Sequence, residues 1–478
     1  MAGSPTINSI EETCESRQRE GVGTLQLQVT KNVQTGELMN TVTELLGIQF
    51  NIDKANRTDQ KVQNLASYLT VDVLKSIHTQ MSRWKAPGVD NMTKDMYAEN
   101  LEENLSNLVD RLKRGSYKPQ PTRRVYIPKD GSDKMRPLGI SSYEDKLVEN
   151  AVAQILNLIY EPKFYPESFG FRPNRNCHQA VREVIEMVQH RKTNYVLEAD
   201  IRSFFDKLDH EWLMKFLEHD IADKRFLEII KKFLKAGIME EGKYLDSESG
   251  SPQGNGASPI LANIYLHYVL DNWFSGVAKR TSRGQCYLIR YCDDFVICFQ
   301  YGDEAEIFYE KLQERFKKFG LELAMEKTKI LEFGRFAKEN RKRRGEGKPE
   351  TFDFLGFTFY CGTNGKREFF RCRVKTSKKK FRSKIKAMGE WIKKHRTSDL
   401  EYIFKVVNAK LRGHYQYYGV TDNTKELENF LAQTKWLLYK WLNRRSQRRS
   451  YTIETFFKGL LRTFPLIKPK IKVSLFYR

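Results

Sequence analysis

Apolar residues recur along the chain with two different periods, which divide it into helical and strand-rich stretches. From about residue 63 to 118 the spacing is helical, as in LASYLTVDVLKSIHTQM and LEENLSNLVDRLKRG. The stretch RRVYIPKDGSDKMRPLGI (123–140) instead predicts a β-hairpin whose turn is Asp130-Gly131. Residues 1–60 are polar and weakly patterned, and we expect an extension with a short helix near MNTVTELLGIQF.

The middle of the chain alternates strands with helices. YVLEAD predicts a strand that runs into a helix, and GSPQGNGASPILANIYLHYVLDNWF predicts a Gly- and Pro-rich loop that opens a long helix. CYLIRYCDDFVICF predicts two strands folded back on each other. A helix, the short strand in LELAMEKTKILEF and the apolar TFDFLGFTFY come next, and the remainder is typical of basic helices. This order predicts an α+β fold with helical regions on either side.

Two adjacent aspartates interrupt the apolar hairpin. Asp293 and Asp294 would occupy its tip, where two carboxylates suit a hard cation such as Mg²⁺. Asp200, at the end of YVLEAD, is a third acid that would join them if that strand pairs with the hairpin, and Glu198 is a rival for this place. Three carboxylates can hold two magnesium ions for displacement at phosphorus. The alternative is an acidic surface turn without a ligand.

Positive charge is concentrated at the C-terminal end. Residues 361–478 hold 30 Lys and Arg against 8 Asp and Glu, which equals the whole net charge of +22. Tyr and Trp are interspersed with these charges, as in LRGHYQYYGV and TKWLLYKWLNRRSQRRSY. A basic surface with aromatic rings indicates a nucleic-acid partner, because concentrated charge repels itself when nothing neutralises it. The alternative is a solvated basic helical region.

The cysteines and the apolar runs bear on location. The seven cysteines form no C-x-x-C pair, and several lie in strand-like runs, so we expect buried free thiols in a reducing compartment. No stretch of about 18 apolar residues and no signal peptide are found. We therefore expect a cytoplasmic protein that does not interact with membranes.

Several motifs resemble those of group II intron-encoded reverse transcriptases and maturases. YCDD, DIRSFFDKLDH, KMRPLGI, SFGFRPNRNCHQA, GSPQGNGASPILANIYLHYVLD, EKTKI and FDFLGF occur in the order of that family. The resemblance implies a right-hand polymerase: an extension at 1–62, fingers at 63–195, a palm with an antiparallel sheet at 196–360, and a basic helical thumb and maturase region at 361–478. It also matches the metal ligand to Asp200 rather than Glu198.

The same resemblance implies roles around the incoming deoxynucleoside triphosphate. Lys129 and Arg136 match residues that grip the triphosphate, and Gln253 matches one that contacts the nucleotide. The family more often has two glycines after this glutamine, where this chain has Gly-Asn. Phe205 matches the gate that excludes a ribose 2′-hydroxyl, with core packing as the alternative. Lys327 matches a candidate general acid for pyrophosphate.

The implied nucleic-acid contacts are all arginines. Arg172 and Arg175 would touch template phosphate, with a structural salt bridge as the alternative, and the C-terminal contacts are Arg412, Arg444, Arg445, Arg448 and Arg449. The implied partners are an RNA template with a DNA or RNA primer, structured intron RNA and a DNA target. The implied activity is RNA-directed DNA polymerisation with two Mg²⁺ ions and assistance to intron splicing. A domesticated relative in host defence or repair, or a polymerase-inactive splicing factor, are the alternatives.

Overall fold

The computed structural model describes residues 36–58, 60–128, 135–246, 249–250, 254–364, 369–446 and 450–476, with the backbone alone for 36–46. The helices are α1 Gly36–Arg57, α2 Val71–Gln80, α3 Lys94–Ala98, α4 Leu101–Lys113, α5 Tyr143–Tyr160, α6 Cys177–His190, α7 Phe204–Lys207, α8 His210–Asp220, α9 Lys224–Leu234, α10 Ser258–Leu266, α11 Lys279–Thr281, α12 Gly302–Lys318, α13 Ala337–Arg343, α14 Lys378–His395, α15 Leu400–Tyr418, α16 Thr424–Leu442 and α17 Leu461–Thr463. π-Helical turns cover His267–Asp271, Phe274–Ala278 and Thr455–Leu460, and a 3₁₀ turn covers Ala66–Tyr68.

The strands form three sheets. They are β1 Thr122–Pro128, β2 Met135–Ile140, β3 Tyr195–Asp200, β4 Ile238–Glu240, β5 Lys243–Leu245, β6 Cys286–Tyr291, β7 Asp294–Phe299, β8 Lys329–Glu332, β9 Phe352–Phe354, β10 Phe357–Asn364 and β11 Phe369–Thr376. Their orders are β2-β1-β4-β5, β6-β7-β3-β8 and β11-β10-β9. The predicted pairing of 123–140 is confirmed, because β1 and β2 are antiparallel with Arg123 opposite Ile140.

The central sheet, β6-β7-β3-β8, is antiparallel throughout and buried on both faces. Successive side chains of a strand point to opposite faces. Leu197 and Ala199 of β3 accordingly enter one hydrophobic core with the helices that precede them, while Val196 enters a second core with β9–β11 and the C-terminal helices. Two buried faces explain why these strands are almost continuously apolar.

Helices cover this sheet as the sequence predicted. α12 packs along β3, β7 and β8, and α6 packs against β6 and β7. The hairpin predicted for CYLIRYCDDFVICF is confirmed, with Tyr291 opposite Asp294. The described structure is therefore an α+β fold around an antiparallel sheet.

The structure corrects the sequence interpretation downstream of residue 360. Phe369–Thr376 is a strand, although basic helices were predicted there, and it pairs with the whole of β10. Cys372 and Val374 are buried between the basic residues Arg371, Arg373 and Lys375. This alternation is strand-like, but the long basic side chains obscured it. The boundary expected at residue 360 lies within β10, and the domain division itself stays a prediction.

The predicted extension contains more structure than one short helix. α1 has 22 residues, and Ile48, Ile52 and Ala55 are buried in the same core as α2 and α5. This helix is therefore packed as part of the region that follows it. Within the described residues, no helix is both long and apolar enough to cross a membrane.

Candidate active site

Three aspartates meet at one edge of the central sheet. Asp200 is the last residue of β3 and lies directly opposite Asp294, the first residue of β7. Asp293 belongs to the two-residue turn between β6 and β7. The prediction that the Asp-Asp pair lies at a hairpin tip is confirmed, and the condition for bringing Asp200 to it, the pairing of β3 with this hairpin, is met.

The three carboxylates repel each other. The pKa of Asp293 is raised by burial and then by the charge of Asp200. Burial among surrounding protein atoms, followed by the charges of Asp293 and Asp200, raises the pKa of Asp294 to about 7. Asp294 nevertheless keeps solvent-exposed surface, which screens its interaction with the neighbouring carboxylates. Neither Asp293 nor Asp294 forms an ion pair with a described residue.

The donor set at this edge fits a hard divalent cation. Carboxylate oxygens are the ligands that Mg²⁺ prefers, and two of the three carboxylates form no ion pair within the part of the chain that the structure describes. Asp200 is paired with the ammonium of Lys327 instead. Among the described residues, no group of three acidic, His or Cys side chains is already gathered as a metal site. Metal binding would therefore require Asp200 to exchange Lys327 for the ion.

The main chain holds Lys327 beside Asp200. The backbone N–H of Ala324 donates to the carbonyl of Asp200 at 2.8 Å, and the N–H of Lys327 donates to Ala324. Burial lowers the pKa of Lys327, but the hydrogen bond and charge of Asp200 outweigh it, and the net pKa is raised. Lys327 is therefore a protonated ammonium at the edge of the carboxylate cluster.

Glu198, the rival for the third position, faces a different set of partners. Its carboxylate pairs with Lys329 at 3.4 Å and accepts a hydrogen bond from the N–H of Asp353 at 3.3 Å. Asp200, not Glu198, lies opposite Asp294. The geometry thus agrees with the assignment that the sequence motif suggested.

The residues expected around the nucleotide are described only in part. Arg136 lies on β2 and is exposed. It is close enough to Asp293 for its positive charge to offset part of the rise in the pKa of that carboxyl. Lys129 and Gln253 lie outside the described residues. Of the two adjacent phenylalanines, Phe204 is buried and stacks edge-on against the half-buried Phe205 at 5.4 Å. Phe205 is therefore the ring that retains accessible surface.

A buried acid that the sequence interpretation missed supports the loop after Gln253. Glu149 of α5 accepts hydrogen bonds from Asn255 Nδ2 at 2.8 Å and from the N–H of Gly256 at 2.9 Å. Burial raises the pKa of Glu149 to about 7. The unusual Asn255 thus has a partner, and the only signal in the sequence was a single acid within the apolar run LVENAVAQIL.

The two arginines expected at template phosphate are engaged within the protein. Arg172 is buried, and its guanidinium binds both oxygens of Glu161 at 2.9 Å. It also donates to the carbonyls of Tyr165 and Ser168. Of the two roles left open for Arg172, these contacts favour the structural salt bridge. Arg175 lies over the ring of Phe169 and donates to a backbone carbonyl.

Of the C-terminal arginines, Arg412 lies on α15, while Arg444 and Arg445 follow the end of α16. Arg412 and Arg444 are exposed, and the Arg444 guanidinium lies 5.4 Å from the centre of the Trp441 ring. Arg445 is half-buried and donates to the carbonyl of Ser398 at 3.2 Å. Arg448 and Arg449 lie outside the described residues. The sequence analysis did not place Lys380, at the start of α14, near the site. Its positive charge offsets a small part of the rise in the pKa of Asp294.

Comparisons with known proteins agree with this geometry. Residues 127–359 match the family described as reverse transcriptase (RNA-dependent DNA polymerase), and residues 378–456 match the group II intron maturase-specific domain. The chain is 31% identical to the group II intron-encoded protein LtrA of Lactococcus lactis subsp. cremoris over 404 residues, 69% of this chain and 65% of LtrA. It is 35% identical to Protein YkfC of Escherichia coli strain K12 over 277 residues, 51% of this chain and 72% of YkfC.

A yeast relative extends the comparison. The putative COX1/OXI3 intron 1 protein of Saccharomyces cerevisiae is 31% identical over 264 residues, 54% of this chain and 30% of that protein. The chain spans just under two thirds of the length of LtrA. The two matched regions contain the three aspartates and most of the basic C-terminal helices. The chain belongs to the group II intron-encoded reverse transcriptase and maturase family.

Proposed function

We propose that the chain is an RNA-directed DNA polymerase that extends a primer 3′-hydroxyl with deoxynucleoside triphosphates. The observation that carries the proposal is the meeting of three carboxylates at one sheet edge, with Asp200 opposite Asp294 and Asp293 on the adjoining turn. An isolated acidic turn would not need a third carboxylate from another strand. The family to which the chain belongs supports the same reaction.

The three aspartates would hold two magnesium ions. When bound, magnesium supplies activation of the primer hydroxyl and neutralisation of the departing pyrophosphate. Asp200 would break its ion pair with Lys327 and become a metal ligand. The freed Lys327 ammonium would lie beside the phosphates, where it can donate a proton to pyrophosphate. Lys327 is therefore proposed as the general acid.

The nucleotide would bind between the β1–β2 hairpin and the aspartates. Arg136 and Lys129 would grip the triphosphate, and Gln253 would contact the nucleotide from a loop that Glu149 supports. Phe205 has the accessible ring that a 2′-hydroxyl would meet. This arrangement favours deoxynucleotides over ribonucleotides.

Nucleic acid would lie along the basic C-terminal region. Its net charge of +22 and its exposed Arg412 and Arg444 suit phosphate, and Trp436, 51% exposed, offers a stacking surface. We propose a template RNA with a DNA or RNA primer, structured intron RNA and a DNA target as ligands. The proposed division is an extension at 1–62, fingers at 63–195, palm at 196–360 and thumb with maturase region at 361–478.

Primer extension on an RNA template with Mg²⁺ tests the proposal. We expect the parent protein to extend the primer and Asp293→Ala to lose extension while it retains RNA binding, because the excess positive charge lies in another region. Glu198→Gln is the matched control, an acid on β3 that is bound by Lys329, and it should extend normally.

Two outcomes would contradict the proposal. Equal extension by the parent and Asp293→Ala would place the reaction elsewhere. No extension by the parent, with tight RNA binding retained, would support a splicing factor without polymerase activity.

A further inference from the structure

The turn that presents Asp293 has an unfavourable backbone conformation. Cys292 has a φ of 58°, in the left-handed region that non-glycine residues rarely adopt, and its side chain is 2% exposed. Asp293 follows it directly, so the position of this carboxylate depends on how firmly Cys292 is held. Such a conformation persists only where the surrounding contacts determine it.

A buried arginine holds the carbonyl of Cys292. Arg290, the second residue before Cys292, has no exposed side-chain surface. Its Nε and Nη2 donate to the two oxygens of Asp271 at 2.8 and 2.5 Å. Its Nη1 donates to the Cys292 carbonyl at 3.1 Å and to Asn263 Oδ1 at 3.0 Å. The bidentate pair fixes the plane of the guanidinium, and that plane directs Nη1 at the turn.

The segment 167–170 also packs closely against the turn. Asn263 Nδ2 donates to the Gly170 carbonyl at 2.6 Å, so one amide joins the arginine to this segment. A Cβ atom on Gly170 would lie 2.4 Å from the backbone nitrogen of Cys292, which shows how closely the two backbones approach. The N–H of Phe169 donates to the Arg290 carbonyl at 2.8 Å.

We propose that Arg290, Asp271 and Asn263 are positioning residues that hold the Cys292 carbonyl and thereby set Asp293 for metal binding. This inference rests on the proposed function of the three aspartates. None of the three residues touches the carboxylates themselves, so they act through the turn. Outer residues that orient metal ligands typically change metal affinity about 10-fold to 100-fold when they are lost.

A purely structural role for the ion pair makes a different prediction. Replacing a buried ion pair by apolar residues of similar volume often leaves stability unchanged or increases it. The variant Arg290→Met/Asp271→Leu therefore separates the two roles, because it keeps the core filled and removes the donor to Cys292. The matched control is Lys163→Met/Asp220→Leu, a largely buried pair at 2.5 Å with no hydrogen bond to the turn.

The probe is Mn²⁺ alone, titrated into the full chain without RNA and followed by electron paramagnetic resonance. Asp293→Ala identifies the binding that belongs to the aspartates. We expect Arg290→Met/Asp271→Leu to retain a cooperative thermal transition while the half-saturating Mn²⁺ concentration rises about 10-fold. The control pair should leave that concentration unchanged. Unchanged Mn²⁺ affinity in the folded double variant would overturn the inference.

A second variant keeps the inference testable if the double variant does not fold. Arg290→Lys retains the charge opposite Asp271, but an ammonium lacks the planar fork that reaches Asp271 and Cys292 together. We expect weaker Mn²⁺ binding in this variant as well, and parental affinity would overturn the inference. If the parent itself shows no Mn²⁺ binding that depends on Asp293, the proposed metal site fails and the inference falls with it.

Discussion

Asp294→Asn should stabilise the metal-free protein above neutral pH. Asp294 shares the sheet edge with two other carboxylates, and no described residue forms an ion pair with it. Its pKa is raised to about 7 by burial and by the charges of Asp293 and Asp200. The ionised carboxylate therefore lowers the free energy of unfolding, whereas an uncharged amide of the same shape does not.

The size of the effect follows from this pKa and from the exposure of the side chain. A rise from 3.8 to about 7 would correspond to roughly 4 kcal/mol if it were fully expressed. Because the side chain has exposed surface and is screened by solvent, we expect about 1–2 kcal/mol. The folded state binds this proton more tightly than the unfolded state. The stability that protonation of Asp294 contributes to the folded state is thus fully present below pH 3.8 and is lost as the pH rises through about 7.

Urea unfolding at pH 5 and pH 8, with a chelator present, measures this difference. At pH 8 the midpoint for Asp294→Asn should lie above that of the parent, and at pH 5 the two should be closer. Asp110→Asn is the control, an exposed aspartate 3.7 Å from Arg114. Adding Mg²⁺ should stabilise the parent more than the variant, because the proposed site would bind the ion through the folded carboxylates. A variant that is less stable than the parent at pH 8, or a gain that is independent of pH, would refute the reasoning.

Three further variants address the nucleotide, a buried arginine and the basic helices. Phe205→Ala should admit ribonucleotides, and unchanged selectivity between dNTP and rNTP in primer extension would remove Phe205 from the gate. Arg172→Ala should lower the free energy of unfolding by about 3 kcal/mol, because it removes the buried partner of Glu161 and the donor to the carbonyls of Tyr165 and Ser168; a lower RNA affinity without loss of stability would instead indicate a template contact. Replacing Arg444 and Arg445 by Gln should weaken RNA binding and flatten its dependence on salt, and an unaltered salt slope would exclude them from the interface.

The carboxylate edge could be predicted because its signals are local. The strand residues on both sides of Asp293 and Asp294 are mostly apolar, and the two acids interrupt this apolar stretch at one point. The turn follows from that interruption, since buried strands must place charges at their ends, whereas the pairing with β3 had to be assumed. β11 was missed because basic side chains at alternating positions hide the apolar ones.

The network around the turn could not be predicted, since its members are far apart in the sequence. Asp271 and Asn263 lie 19 and 27 residues before Arg290. In the sequence they are single polar residues in an apolar helix, ASPILANIYLHYVLD, with no sign of which partner they face. Glu149 and Asn255 are separated by 106 residues and present the same difficulty. The packing of α10 against α5, and the contacts of Asn263 with Arg290 and Gly170, bring these groups together.

The fold fixes the backbones of the three aspartates in different ways. We therefore expect substitutions elsewhere in the chain to displace them to different extents. Asp200 and Asp294 lie within strands, so the hydrogen bonds of the central sheet set their backbones directly. Asp293 lies on a turn whose first residue has a positive φ, and the proposal makes its position depend on the Arg290 side chain of β6, which Asp271 and Asn263 hold. Substitutions in α10 or in the segment 167–170 should therefore displace Asp293 before they disturb the other two. On this proposal, a change distant from the carboxylates should weaken metal binding while the sheet stays intact.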